Sequence, residues 1–144
     1  MSAFRNLPSS PVLRQVARLN QIAGTAETAF RMDPLKIKAI ELVLVQKNVH
    51  QPSLGLRKFW KQNLPTLQFH NNDVRFTMTR VKTASKDELA KVPALVVIHK
   101  VGDDKVVVNC LDRLPKDILR KVVHATGATP VPDAEIPRIA QPTH

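Results

Sequence analysis

The stretch Ile37-Lys-Ala-Ile-Glu-Leu-Val-Leu-Val45 constrains the fold more than any other part of this chain. Its later residues are apolar at consecutive positions, the pattern of a central strand covered on both faces. Such a strand needs neighbours, and the sequence after it supplies them. Lys47 to Ser53 reads as a polar loop containing Pro52, after which Ser53 can cap a helix running to about Asn63. Leu56, Phe59, Trp60 and Leu64 form its apolar stripe, Arg57, Lys58 and Lys61 fill the remaining arc, and Pro65 is expected to end it. Val74-Arg-Phe-Thr-Met-Thr-Arg-Val81 then alternates, with Val74, Phe76 and Met78 on one face and Arg75, Thr77 and Thr79 on the other.

Beyond this strand, Lys82 to Val92 is polar, with a short helical turn started by Ser85. Ala94 to Ile98 reads as a buried strand, Val101 to Asp104 as a turn, and Lys105 to Asn109 as the returning arm of a hairpin. A last helix opens at Pro115, carries Ile118, Leu119, Val122 and Val123 as its stripe, and stops at Gly127. Upstream, Val12, Val16, Leu19 and Ala23 recur at helical spacing between Pro11 and Gly24. The order is β-α-β-β-β-α preceded by one helix. A right-handed crossover makes the first two strands parallel, and the hairpin adds antiparallel partners. The expected fold is α/β, a four-stranded mixed sheet of thioredoxin-like architecture. Residues 1–33 are expected to be a basic extension, 34–127 the domain, and 128–144 a Pro-rich tail ordered only against a partner.

Charge narrows the partner class. The 144 residues carry a formal net charge of +10, and residues 34–83 alone contribute +7 of it. Clustering of this kind gives one basic face, as a phosphate-binding surface requires, because several phosphates are neutralised together. The candidate contacts are Arg57, Lys58 and Lys61 on the helix, Arg75, Arg80 and Lys82 on and after the alternating strand, and Arg14 and Arg18 on the first helix. The alternative for each is a solvated surface charge. Few aromatics and no tyrosine argue against reading of splayed bases and favour backbone recognition of folded RNA. Phe59 and Trp60 could stack on bases, but helical spacing assigns them to the core. The opening 26 residues hold arginines and no acid, which suits a mitochondrial targeting segment or a basic helix that stays on the protein.

Catalytic chemistry finds little support. Cys110 is the sole cysteine, so a CxxC redox pair and a cysteine-rich zinc site are excluded, and its place at the end of a buried strand reads as an inert core thiol. Among the five histidines, His70 with Asp73 is the nearest approach to a metal-ligand pair, and a weak one. No P-loop, dinucleotide fingerprint or serine-nucleophile motif occurs. No apolar run approaches a membrane span. No cofactor, metal or enzymatic activity is expected.

The segment Leu56-Arg-Lys-Phe-Trp-Lys-Gln-Asn-Leu-Pro-Thr-Leu67, followed by Phe69-His-Asn-Asn and Val74-Arg-Phe-Thr-Met-Thr-Arg80, resembles the thioredoxin-like domain of certain mitochondrial ribosomal proteins. A small accessory subunit of respiratory complex I shares that domain. The resemblance covers roughly residues 35–125, and the Arg-rich opening with Asp33-Pro34 looks most like the fungal large-subunit member. Asn72 stands where the family commonly has proline. The resemblance implies a structural constituent of the mitochondrial ribosome in the matrix, contacting mitochondrial rRNA and neighbouring ribosomal proteins. A complex I accessory subunit is the alternative, and a thiol oxidoreductase is disfavoured by the single cysteine. Pro93 falls where thioredoxins place a cis-proline, although a trans bond is the ordinary state at a strand start.

Overall fold

A computed structural model of the chain describes residues 11–46 and 51–140. Residues 47–50, the greater part of the loop expected before the basic helix, lie outside the described residues, as do Arg5 and the rest of the first ten. The elements in chain order are α1 (Pro11–Ala23), β1 (Phe30–Arg31), β2 (Ile37–Val45), α2 (Leu54–Gln62), α3 (Leu64–His70), β3 (Arg75–Val81), α4 (Lys86–Lys91), β4 (Leu95–Lys100), β5 (Lys105–Asn109), α5 (Pro115–Thr126) and β6 (Thr129–Pro130).

The main sheet has the order β3-β2-β4-β5. β2 runs parallel to β3 and antiparallel to β4, and β4 and β5 form the antiparallel hairpin. Gly102 and Asp103 take positive φ in the turn, as a tight reversal between twisted strands requires. Register defines two faces. Ile40, Leu42 and Leu44 of β2 align with Phe76 and Met78 of β3 and with Val96, Ile98, Val106 and Val108 of β4 and β5. This side meets Leu56 and Phe59 of α2, Leu64 and Leu67 of α3, and Ile118, Leu119 and Val122 of α5 in one core.

The opposite face departs from the expectation that β2 is covered on both sides. Arg75, Thr77 and Thr79 of β3 and Lys105, Val107 and Asn109 of β5 are exposed there. The reason is the β3–β4 connection. A helix in that position could cover the sheet, but α4 is only six residues long. Val45 is buried and Leu95 half-buried near the end where the connection leaves and returns, while the other end stays open. Ser85 starts α4 as expected, its Oγ accepting from the Glu88 N–H at 3.2 Å.

Pro65 does not end the helical segment. Asn63 breaks it, and Pro65 lies in the first turn of α3, where its missing N–H costs nothing. Ser53 occupies the N-cap position of α2 without a side-chain capping hydrogen bond. α5 begins with Pro115 in its first turn and ends at Gly127 in the left-handed region, with the Ala128 N–H returning to Val123 O at 3.1 Å. The Val92–Pro93 bond is trans.

The residues expected to be extensions are tied to each other. α1 buries Val16 and Ala23, whereas Val12 and Leu19 of the expected stripe stay exposed. Thr66 Oγ1 of α3 donates to Gln21 O at 3.3 Å, and His70 Nε2 lies 2.7 Å from Ala23 O. The stretch read as a tail is held by its own chain as far as Ile139. β6 pairs with β1, and Ala23, Ala29, Val131 and Ile136 form a second small core. Asn20 exchanges two hydrogen bonds with the Ile139 backbone at 2.8 Å, and Arg138 donates to Gly24 O. Asn71 joins this part to the domain. Its side chain accepts from Met32 N–H at 2.6 Å and donates to Phe30 O and Leu67 O at 2.9 and 2.8 Å. A buried amide with its groups satisfied fixes one geometry, which gives the Phe69-His-Asn-Asn block a physical reason.

Candidate nucleic-acid interface

The basic residues expected to form one helix face are separated by the fold. α2 turns Leu56 and Phe59 into the core, and Arg57 goes in with them, only 9% exposed. Its guanidinium donates to Val45 O at the end of β2. Burial, and secondarily the neighbouring Arg80 charge, pull its pKa down from the usual arginine value. Arg57 is thus largely buried and engaged by its own chain, unlike the exposed Lys58 and Lys61 named with it. The reason is geometric: with Leu56 and Phe59 centred on the core, position 57 is only 100° from Leu56 and lies at the seam with the sheet.

Trp60 occupies the same seam. It is half-buried, and the Arg80 guanidinium sits 5.1 Å from its ring centroid, a cation–π contact that covers the ring. Trp60 is thus no open stacking platform. Arg80 also belongs to a different face from Arg75. Strand alternation places Arg80 on the helix side with Phe76 and Met78, and Arg75 on the open side with Thr77 and Thr79. Lys82 follows directly after β3 and is exposed. Lys58 and Lys61 are exposed on the outer arc of α2.

Among the described residues, the carboxylates pair with Arg31, His99 and Arg120. Lys58, Lys61, Arg75, Arg80 and Lys82 consequently carry no ion-pair partner there. Lys58 and Lys61 on α2, Arg80 on the helix side of β3 and Lys82 at its end form a cationic rim, whereas Arg75 faces the open side of the sheet. Arg14 and Arg18 are exposed on α1, which packs on α3, and Arg18 approaches Gln21 at 3.4 Å. The structure does not bring them into the β3 rim.

Three further polar residues escaped the sequence reading. Glu41, in the middle of β2, accepts from the Thr79 hydroxyl at 2.7 Å and lies 3.4 Å from His99 Nε2. The Thr79 hydrogen bond holds its carboxyl below the usual range against the opposing effect of burial, and the His99 hydrogen bond with the His99 and Lys105 charges adds to the lowering. Lys38 and Lys105 flank this pair on the same sheet. The missing signal was strand register, since residues 37–45, 75–81, 95–100 and 105–109 meet only after pairing.

Cys110 is fully buried, its Sγ donates to Val108 O at 3.4 Å, and burial pushes the thiol up to about 11. Among the described residues, no three histidine, cysteine or acidic side chains converge as metal ligands. His70, the weak metal candidate, is engaged with Ala23 O. No described helix is long and apolar enough to cross a membrane. A cleft of about 850 Å³ is lined by residues that include Phe30, Leu114, Leu119, Val123, Lys116 and Arg120.

Comparison with known proteins agrees with the resemblance carried by the Leu56–Arg80 block. Residues 56–115 match the domain described as "Mitochondrial ribosomal protein L51 / S25 / CI-B8 domain". Over 131 residues, the chain is 29% identical to the large ribosomal subunit protein mL61 of Saccharomyces cerevisiae, covering 90% of this chain and 94% of the yeast protein. A match of that length extends well beyond residues 56–115. The chain's likeness is thus to the mitochondrial ribosomal proteins, a fungal large-subunit member among them.

Proposed function

We propose that the protein is a structural, non-catalytic constituent of the large subunit of the mitochondrial ribosome. The observation that carries this reading is likeness to the yeast large-subunit protein over nearly the whole of both chains. The cationic β3 rim supports an rRNA backbone as one partner, because fixed cations without internal acid partners are available to phosphates. The apolar cleft with exposed Leu114 suits a neighbouring ribosomal protein as another. Strand order β3-β2-β4-β5, with one parallel and two antiparallel pairings, supports a thioredoxin-like reading of the fold. The short α4 is its departure. The buried thiol of Cys110 leaves that scaffold without redox chemistry.

Capture of the tagged protein from mitochondria tests the reading. Large-subunit rRNA and ribosomal proteins are expected in the eluate. Recovery with complex I subunits and without rRNA would replace it by the accessory-subunit alternative.

A further inference from the structure

The open face of the sheet carries a row of basic groups that strand register assembles. Arg75 of β3 aligns with Ala39 of β2, Ala39 with His99 of β4, and His99 with Lys105 of β5. At about 4.8 Å between strands, the row spans roughly 14 Å. Ala39 is small and 4% exposed, so its position forms a floor between Arg75 and His99. A β-bulge adds a fourth member. Ile37 pairs with Lys100 and Ala39 with His99, so two steps on β2 match one on β4 and Lys38 is the extra residue. Plain alternation would send Lys38 to the helix side, but it lines a cleft of about 220 Å³ together with Ala39, Glu41, Arg75, Thr77 and His99.

Among the described residues Glu41 is the one carboxylate on the strands of this face, and it is already engaged by the Thr79 hydroxyl and His99. Lys38, Arg75 and Lys105 are exposed and have no ion-pair partner among the described residues. Asp103 and Asp104 lie beyond the row in the hairpin turn, and Asp73 precedes β3. A rigid row of cations with a hydroxyl beside it and a recess at its centre is complementary to a phosphate backbone.

We propose that this open face, through Lys38, Arg75 and Lys105 with His99 between them, docks the phosphate backbone of folded RNA. The proposal rests on the RNA-binding reading above and gives it a second surface, distinct from Lys58 and Lys61 on α2. It also assigns a role to the bulge, which places Lys38 beside Arg75 and His99.

The test uses the full chain and a synthetic RNA hairpin with a duplex stem of about two helical turns. Binding is followed by fluorescence anisotropy over a range of KCl concentrations. Lys38→Gln/Arg75→Gln/Lys105→Gln is compared with the wild type and with Lys58→Gln/Lys61→Gln. All these side chains are exposed, and a thermal melt checks that the variants fold. Each lost phosphate contact lowers the log–log salt slope by about 0.9, so the triple variant is expected to lose between two and three units. Glu41→Gln, which removes the face's negative charge, is expected to tighten binding several-fold. If the wild type binds with a salt-dependent affinity and the triple variant keeps its slope, the sheet-face assignment is overturned while the RNA reading stands. If the wild type shows no salt-dependent binding, both fail. Unchanged RNA binding with loss of ribosomal-protein partners would assign the face to protein and also overturn the proposal.

Discussion

Gly55→Ala offers a test in which sign as well as size is informative. Gly55 lies in the first turn of α2, and a Cβ there would stand 1.6 Å from Arg113 O and 2.8 Å from its carbonyl carbon. Relief to an ordinary contact of roughly 3.5 Å requires a displacement of about 2 Å. Neither side yields easily. The 110–114 segment is tied by Cys110 N–H to Ala94 O at 2.8 Å and by Asp112 N–H to Pro52 O at 2.9 Å. The α2 side is anchored by fully buried Leu56 and Phe59. Overpacking against backbone costs about 3 kcal/mol, at the upper end of the usual range. Alanine regains about 1 kcal/mol of helix propensity over glycine. The net is a loss of about 2 kcal/mol, or a fall in Tm of roughly 4–8 °C for a chain of this size. Calorimetry of the two full-length proteins measures it, with Gln62→Ala on the exposed side of α2 as a near-neutral control. A Tm that rises for Gly55→Ala, as it would in an open helix, would refute the close approach of α2 to the Arg113 backbone.

Three other outcomes follow from the same geometry. Arg57→Met keeps the buried stem but removes the donor to Val45 O, so chemical denaturation should show a loss of about 1.5–3 kcal/mol while the salt slope for RNA stays that of the wild type. Arg138→Ala cuts the link from the C-terminal stretch to Gly24 O. Limited proteolysis should then cleave beyond Gly127 sooner, with little change in the melting of the main core. Cys110 should resist a thiol reagent at pH 8 in the native protein and react once denaturant is added. Its folded-state pKa of about 11 lies above the ordinary 9.0, so stability from burying the neutral thiol is complete below pH 9 and declines as pH rises toward 11.

The four strands of the main sheet, α2 and α5 were legible because each carries its own local signal, whereas α3 was not foreseen. The alternation at Val74–Val81 and the stripe of α5 are local signals, and so is the Pro115–Gly127 frame. Three features were not local. Coverage of β2 depends on how much helix the β3–β4 connection can hold, so a consecutive apolar run overstated its burial. Pro65 is compatible with both ends of a helix, and only the break at Asn63 decides between stopping one and starting the next. The fate of the C-terminal stretch rests on pairing between residues more than a hundred apart, such as Asn20 with Ile139. The candidate site divides in the same way. Lys58, Lys61 and Lys82 are exposed, whereas Arg57 and Arg80 reveal their seam positions only when α2 and β3 are packed together. Lys38 and Lys105 join Arg75 through register alone.

The central claim is membership of a ribosomal particle, and its most direct test is the sedimentation of the endogenous protein. A mitochondrial lysate resolved on a sucrose gradient at physiological salt should carry it with the large ribosomal subunit and the intact ribosome. Release at high salt is expected to move it to the light fractions, as phosphate contacts weaken. Migration with respiratory complex I, or in the light fractions at physiological salt, would contradict the account.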